Sequence, residues 1–295
     1  MCAALGEWVQ GWIGGGEALV SLVVAWNSSV EICIPDEEER FTQTGEKALR
    51  AFEAAKRVFS GNDKCETIPR DGFINVINPF PPARGLATST MDIAGTFAAV
   101  AACNGYSLSD EELFSLCADI EPSDGIMFKG LALVDHIKGK LIERLPPPPD
   151  MTVVALIPSR MLDTADYRRN ASTLNAIRAC EDEHEAAYET LKRGLENSDA
   201  ALTAKGATLS AEAQQKIMPR EEWDVMNETA RVSGALGIAV AHSGTASGLL
   251  YEPANKFGAD LAERMLINAY SGSFSPKAAV KRTTVSGGGF FSERI

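Results

Sequence analysis

Valine, isoleucine and serine recur with partial alternation from Ala18 to Ile34, which predicts one or two strands packed on a core, with Gly14 to Gly16 as the turn before them. From Thr44 to Phe59 the apolar spacing becomes helical. Leu49, Phe52 and Phe59 share one face while Lys47, Arg50 and Glu53 lie mostly elsewhere, so an amphipathic helix is expected. Phe73 to Ile77 reads as a short strand. A proline-rich loop follows, and then an alanine-rich apolar run from Met91 to Cys103 that is consistent only with a largely buried helix. Ser109 with Glu112 three residues later predicts a capped helix through Ala118. Leu131 to Asp135 and Lys140 to Leu145 are strand-like, and Pro146 to Pro149 form a stiff, extended connector where the domain border is placed, dividing 1–148 from 149–295. Beyond it come a strand over Thr152 to Ile157, several helices between Tyr167 and Ser233, and a strand over Leu236 to Ala241. A glycine-rich turn, a helix from Asn255 to Tyr270 and a terminal strand near Val280 to Val285 complete the chain.

Composition narrows the partners. With 295 residues, 45% hydrophobic and 23% charged, the chain is expected to be globular, with enough apolar sequence for a core that needs no disulfide or metal staple. A formal net charge of -12 disfavours nucleic acid and anionic membrane surfaces. An anionic nucleotide would have to be held locally, by backbone amides and a bound cation. Cys2, Cys33, Cys65, Cys103, Cys117 and Cys180 form no CxxC pair and are expected to be reduced thiols. The start lacks the basic residues of a secretory or transit signal, and no apolar run reaches the ~18 residues of a membrane span, so a cytoplasmic protein is expected. A homodimer is left open.

The segment Pro81-Pro-Ala-Arg-Gly-Leu-Ala-Thr-Ser-Thr90 joins a strand to a buried helix through small and hydroxyl residues. Gly85 and Ala87 would let the backbone approach an anion, and the first N–H groups of the helix have no internal partners. Thr88, Ser89 and Thr90 add hydroxyls for phosphate or a hard cation. A plain proline-glycine turn with a Ser/Thr helix cap explains the same composition. No Walker A loop occurs anywhere in the chain.

This loop, read as P-x-x-x-G-L-A-T-S-T, resembles the second motif of the GHMP kinases. Gly6-Glu-Trp-Val-Gln-Gly-Trp12 and Ala241-His-Ser-Gly-Thr-Ala-Ser-Gly-Leu-Leu250 resemble the first and third motifs of the L-threonine kinases of that family, which serve cobalamin side-chain assembly. Met1, Cys2, Ala4 and Leu5 depart from the C-P-A-S-C-G-E start usual among them. The resemblance implies a two-domain α+β fold, with a ribosomal-protein-like N-terminal domain and a ferredoxin-like C-terminal one. It also implies ATP with Mg2+ and a small alcohol, L-threonine first, as the partners.

Residue by residue, the resemblance implies ATP binding at Pro82, Arg84, Gly85, Leu86, Ala87, Thr88, Ser89 and Thr90, metal binding at Ser89 and Glu121, and Asp124 as the catalytic base. Glu7, Gln10, Gly11, His242 and Gly244 are implied in the substrate pocket. Simpler readings stand beside these. Glu121 and Asp124 could be a solvated helix end and an Asx turn, Glu7 and Gln10 the polar edge of a strand, Arg84 a solvated loop residue and His242 a structural histidine. Serine, homoserine or an isoprenoid precursor is an alternative acceptor, and a noncatalytic ligand-binding member of the family is an alternative function.

Overall fold

The computed structural model describes residues 1–33, 45–59, 73–161, 171–270 and 278–292, and a long hairpin runs through its centre. Strands β1 (Cys2–Ile13) and β2 (Gly16–Asn27) pair antiparallel about Gly14 and Gly15, whose φ values of 62° and 78° suit glycine. β1 is buried along almost its whole length. A strand covered on both faces shows no alternation, which is why the pattern announced strands only from Ala18. The expected Ala18 to Ile34 stretch is in fact β2 and a separate β3 (Ser29–Cys33), with Ile34 outside the described residues.

The remaining strands are β4 (Phe73–Ile77), β5 (Leu131–Asp135), β6 (Lys140–Leu145), β7 (Thr152–Pro158), β8 (Gly237–Val240), β9 (Ser247–Tyr251) and β10 (Ala278–Thr284). Of the ten described strands, eight form one antiparallel sheet in the order β10-β7-β9-β8-β1-β2-β5-β6, while β3 and β4 pair apart. β1 is therefore the seam between early and late parts of the chain, and the seam is narrow, with Glu7 opposite Val240. The sheet also curls back on itself. Val24 bridges Val285, Ser286 N donates to Val23 O at 2.9 Å, and Gly130 N donates to Gly287 O at 2.6 Å. The fold is mixed α/β.

Helices cover the sheet in three groups. α1 (Glu46–Phe59), α2 (Thr88–Cys103) and α3 (Asp110–Ala118) share a core built on Phe52, Phe97, Leu113, Phe114 and Phe128. The helices Glu181–Glu196 and Ala200–Ile217 pack on β1, and those at Trp223–Ser233 and Lys256–Tyr270 enclose a third core with Tyr251 and Leu266. α2 is apolar nearly all round, as a helix buried on every side must be. α1 differs from its predicted face. Ala48, Ala51, Phe52, Ala55 and Phe59 are buried while Leu49 is 50% exposed, because the alanine stripe is what allows close approach to α2.

Ser109 caps α3 as expected: its Oγ accepts from Glu112 N, and its own N–H donates to Glu112 Oε2 at 2.8 Å. Cys2, Cys103, Cys117 and Cys180 are not in disulfides; Cys65, Thr44 and residues 167–170 lie outside the described residues. Among the described residues, no helix is long and apolar enough to cross a membrane.

The capping box and the aromatic core differ in weight, and a comparison of denaturation midpoints separates them. Ser109→Ala is expected to cost about 1 kcal/mol, whereas Phe97→Ala, which empties a position 1% exposed, should cost about 3–5 kcal/mol. Equal losses would contradict the placement of Phe97 in the core.

Candidate functional site

The three singled-out segments meet where β1 bends. Register shifts between Ala4 and Glu7 mark a bulge, and at its centre Gly6, with φ 67°, points its N–H out of the sheet to donate to Gly85 O at 2.8 Å. From the other side, Thr245 N and Ala246 N both donate to Arg84 O, at 3.0 and 2.8 Å. No side chain fits between these backbones. A Cβ on Gly85 would stand 2.1 Å from Ala241 Cβ, and one on Gly244 would stand 2.4 Å from Gly85 N.

Held this way, the loop turns left-handed at every second residue, with φ of 57° at Ala83, 82° at Gly85 and 54° at Ala87. Alternating handedness is the conformation in which successive N–H groups gather around one concavity. Ala87 is the N-cap of α2, and no side chain caps the helix. This disposes of the turn-and-cap alternative, which needs a Ser or Thr hydroxyl on those amides, and it leaves the helix N-terminus open to an anion.

The predicted loop residues divide by direction. Pro82 is exposed on the outer side, Leu86 is buried in the core, and Thr88 is almost buried, with its carbonyl accepting from Asn78 Nδ2 at 3.2 Å. Ser89 stands at the opening, where its hydroxyl donates to Glu121, and Lys47 Nζ holds the same carboxylate at 2.8 Å. Thr90 turns inward and accepts from Asp124 N at 3.1 Å. Arg84 donates to Ser159 O through Nη2, while its Nη1 is buried without a hydrogen-bond partner. A partly exposed cation with a spare donor is suited to an anionic ligand, and the burial of part of its surface lowers the Arg84 pKa.

Asp124 is half-buried against Thr90, and its pKa is raised to about 7. Burial is the main cause and the negative charge of Glu7 the next, opposed by hydrogen bonds from Thr90 and Ser21; Glu121 raises it further. Such a carboxyl group changes protonation near neutral pH, unlike a solvated Asx turn. Asp92, one turn along α2 from Ser89, is also raised, by burial foremost, although Asn78 Nδ2 donates to it at 2.7 Å.

Glu7 and His242 are not surface groups. Glu7 is 4% exposed at the sheet seam, and its Oε2 accepts from His242 N at 2.8 Å and lies 3.0 Å from His242 Nδ1. The polar-edge reading of Glu7 therefore fails. Gln10 and Gly11 line a narrow crevice shared with His184, Gln214 and His242. Gln10 Oε1 is buried there without a hydrogen-bond partner, and Gly11 makes room for the His184 ring, which a Cβ would meet at 2.3 Å.

Several contributors were not singled out from sequence. Arg220, buried, reaches the carbonyls of Ala241, Gly244 and Thr245 and ties down the third segment; a single arginine after a proline carries no spacing signal. Lys47 was visible only as the polar side of a helix. Asp92 did carry a signal, as the sole charged residue in the apolar run from Met91 to Cys103.

Residues 46–128 match the family model for the GHMP kinases N terminal domain. The chain is 31% identical over 270 residues to the L-threonine kinase of Citrobacter freundii, covering 90% of this chain and 89% of that protein. It is also 31% identical over 251 residues to the L-threonine kinase of Salmonella typhimurium, covering 85% and 81%. The homoserine kinase structure from Cytophaga hutchinsonii superposes with a TM-score of 0.69 at 16% identity, over 97% of this chain and 95% of that one, a likeness of fold.

Gly244→Ala should push the third segment off the loop. The expected result is at least a tenfold loss of ATP affinity, about 1.4 kcal/mol, by calorimetric titration, with the helical circular dichroism signal kept. Unchanged affinity in the folded variant would contradict the close approach at Gly85.

Proposed function

The chain belongs to the GHMP kinases, and within that family we propose that it transfers the γ-phosphoryl group of ATP to the hydroxyl of L-threonine. It is an ATP-dependent kinase of a small hydroxyl-bearing metabolite; threonine rests on two relatives named L-threonine kinase, matched over most of their length. The observation that carries the site assignment is the uncapped α2 N-terminus under a left-handed loop, with Ser89, Glu121 and Asp124 at its mouth.

Phosphoryl transfer asks a protein mainly to position the reactants and stabilise charge on the moving group. The loop amides from Gly85 to Ser89 would receive phosphate oxygens, and the free Nη1 of Arg84 would add positive charge beside them. Ser89 and Glu121 already touch, with Asp92 nearby, which is a hard-oxygen donor set suited to Mg2+. Among the described residues, no group of three or more His, Cys, Asp or Glu side chains is gathered for a metal, in keeping with an ion that takes its other ligands from phosphate and water. When bound, Mg2+ would neutralise charge on the phosphates. Glu121 would then exchange Lys47 for the ion.

Asp124 would accept the hydrogen bond of the acceptor hydroxyl. As the hydroxyl oxygen bonds to the γ-phosphorus and the bond to ADP breaks, the proton passes to Asp124. The nearby carboxylates Glu7 and Asp124 also suit the ammonium group of an amino acid. We propose the border between the two domains at 148/149, in the proline connector.

The direct test is ADP release from Mg-ATP with L-threonine, L-serine, L-homoserine and mevalonate supplied separately, with mass spectrometry of the product. O-phosphothreonine is the expected product, and turnover confined to another alcohol would displace threonine. Ser89→Ala and Glu121→Gln should each lower kcat by about 100-fold or more while leaving the thermal midpoint within a few degrees. Full turnover in both folded variants would remove the metal assignment.

A further inference from the structure

Lys47 is an unexpected cation for its place. It stands in the first turn of α1, where the helix dipole disfavours positive charge, and its side chain is half-exposed, so neither the helix nor the core accounts for its orientation. Its partner does. Nζ lies 2.9 Å from Glu121 Oε1 and 2.8 Å from Oε2, so one ammonium spans both oxygens of the carboxylate. Ser89 Oγ donates to the first of those oxygens. One turn further along α1, Arg50 Nη2 donates to Ile120 O at 3.2 Å and keeps the helix against the loop that carries Glu121.

The two sides of this contact differ in freedom. Glu121 N donates to Cys117 O at 3.1 Å and Glu121 O accepts from Ser123 Oγ at 2.9 Å, so the backbone under the carboxylate is fixed. The lysine sits on a flexible four-carbon stem with half of its side chain in water, and an exposed pair of this kind is weak enough to part. The oxygens that the ammonium spans are also the ones a hard cation would take. An ion bound there would stand beside the ammonium, and the two positive charges repel.

We propose that Lys47 is a positioning residue that competes with the metal ion: it occupies the Glu121 carboxylate between catalytic cycles, keeps it beside Ser89, and yields it to the ion that arrives with the nucleotide. The proposal rests on the reading of Ser89 and Glu121 as metal ligands, which the test below examines separately. Metal binding and the parting of Lys47 from Glu121 are then one exchange of cations. The apparent affinity for the ion is the intrinsic affinity multiplied by the fraction of molecules in which the lysine has let go.

The exchange carries a sign that a merely structural lysine would not. Removing a residue that only braces the loop loosens the site and weakens metal binding, whereas removing a competitor strengthens it. A diffuse field also gives some strengthening, because any lost positive charge favours a cation nearby. Glu121 separates the two causes. A competitor matters only while the carboxylate is there to compete for, but a diffuse field acts with or without it.

The test is a double-mutant cycle on Mn2+ binding, with the full chain in excess over ADP and free Mn2+ followed by its electron paramagnetic resonance signal. Mn2+ takes the same kinds of oxygen ligand as Mg2+. Lys47→Met, which keeps the apolar stem, should tighten Mn2+ binding by about fivefold. Glu121→Gln should weaken it, and adding Lys47→Met to Glu121→Gln should change it by less than about twofold. Unchanged or weaker binding in Lys47→Met, with the loss in Glu121→Gln still seen, overturns the competition and leaves the metal assignment standing. An equal gain in both backgrounds also overturns it, as the effect of a diffuse field. Binding unaffected by Glu121→Gln overturns the metal assignment and this inference with it.

Discussion

Three backbones approach so closely around Gly85 that the site exists only because no Cβ stands between them. Gly6 donates to the Gly85 carbonyl, Gly244 lies against the Gly85 amide, and Ala241 fills the space a Gly85 side chain would need. The approach imposes left-handed backbone on Ala83, Gly85 and Ala87, and that geometry keeps the N-terminus of α2 free of any side-chain cap. Non-glycine residues rarely adopt this conformation unless their surroundings over-determine it. Here the surroundings are the bulge of β1 on one side and the β8–β9 turn, held by Arg220, on the other.

The same junction explains how a chain of net charge -12 can hold a polyanion. The global field is unfavourable, so attraction has to be local: backbone amides, a helix end, and the spare donor of Arg84. Two carboxyl groups stand close to the start of the same helix. Ser89 donates to Glu121, which Lys47 neutralises, while Thr90 meets Asp124, whose proton affinity burial and Glu7 raise to near neutral. Two carboxyl groups three residues apart in sequence thus differ in partners, one suited to a cation and the other to a proton.

Much of this was legible before the fold was known, where a local rule dominates. The capping box at Ser109, the buried run from Met91 and the strands at Leu131 and Lys140 follow from short-range chemistry, and the structure has them. Elements governed by tertiary burial were harder. β1 and β9 are enclosed on both faces and show no alternation, and Leu49 gave way to an alanine stripe because contact with α2 favours small residues. In the candidate site, Gly85 and Ser89 stood out by motif, and Glu121 and Asp124 only through the family resemblance. Arg220 did not, since it acts across more than twenty residues of chain through backbone carbonyls.

The most direct measurement is a crystal structure with Mg2+, a non-hydrolysable ATP analogue and L-threonine. The geometry at Gly85 predicts phosphate oxygens against the amides from Gly85 to Ser89, the ion on Ser89 and Glu121 with Lys47 displaced, and the threonine hydroxyl within hydrogen-bonding distance of Asp124. Phosphates bound away from the α2 N-terminus, with Glu121 still held by Lys47 and Ser89, would contradict it.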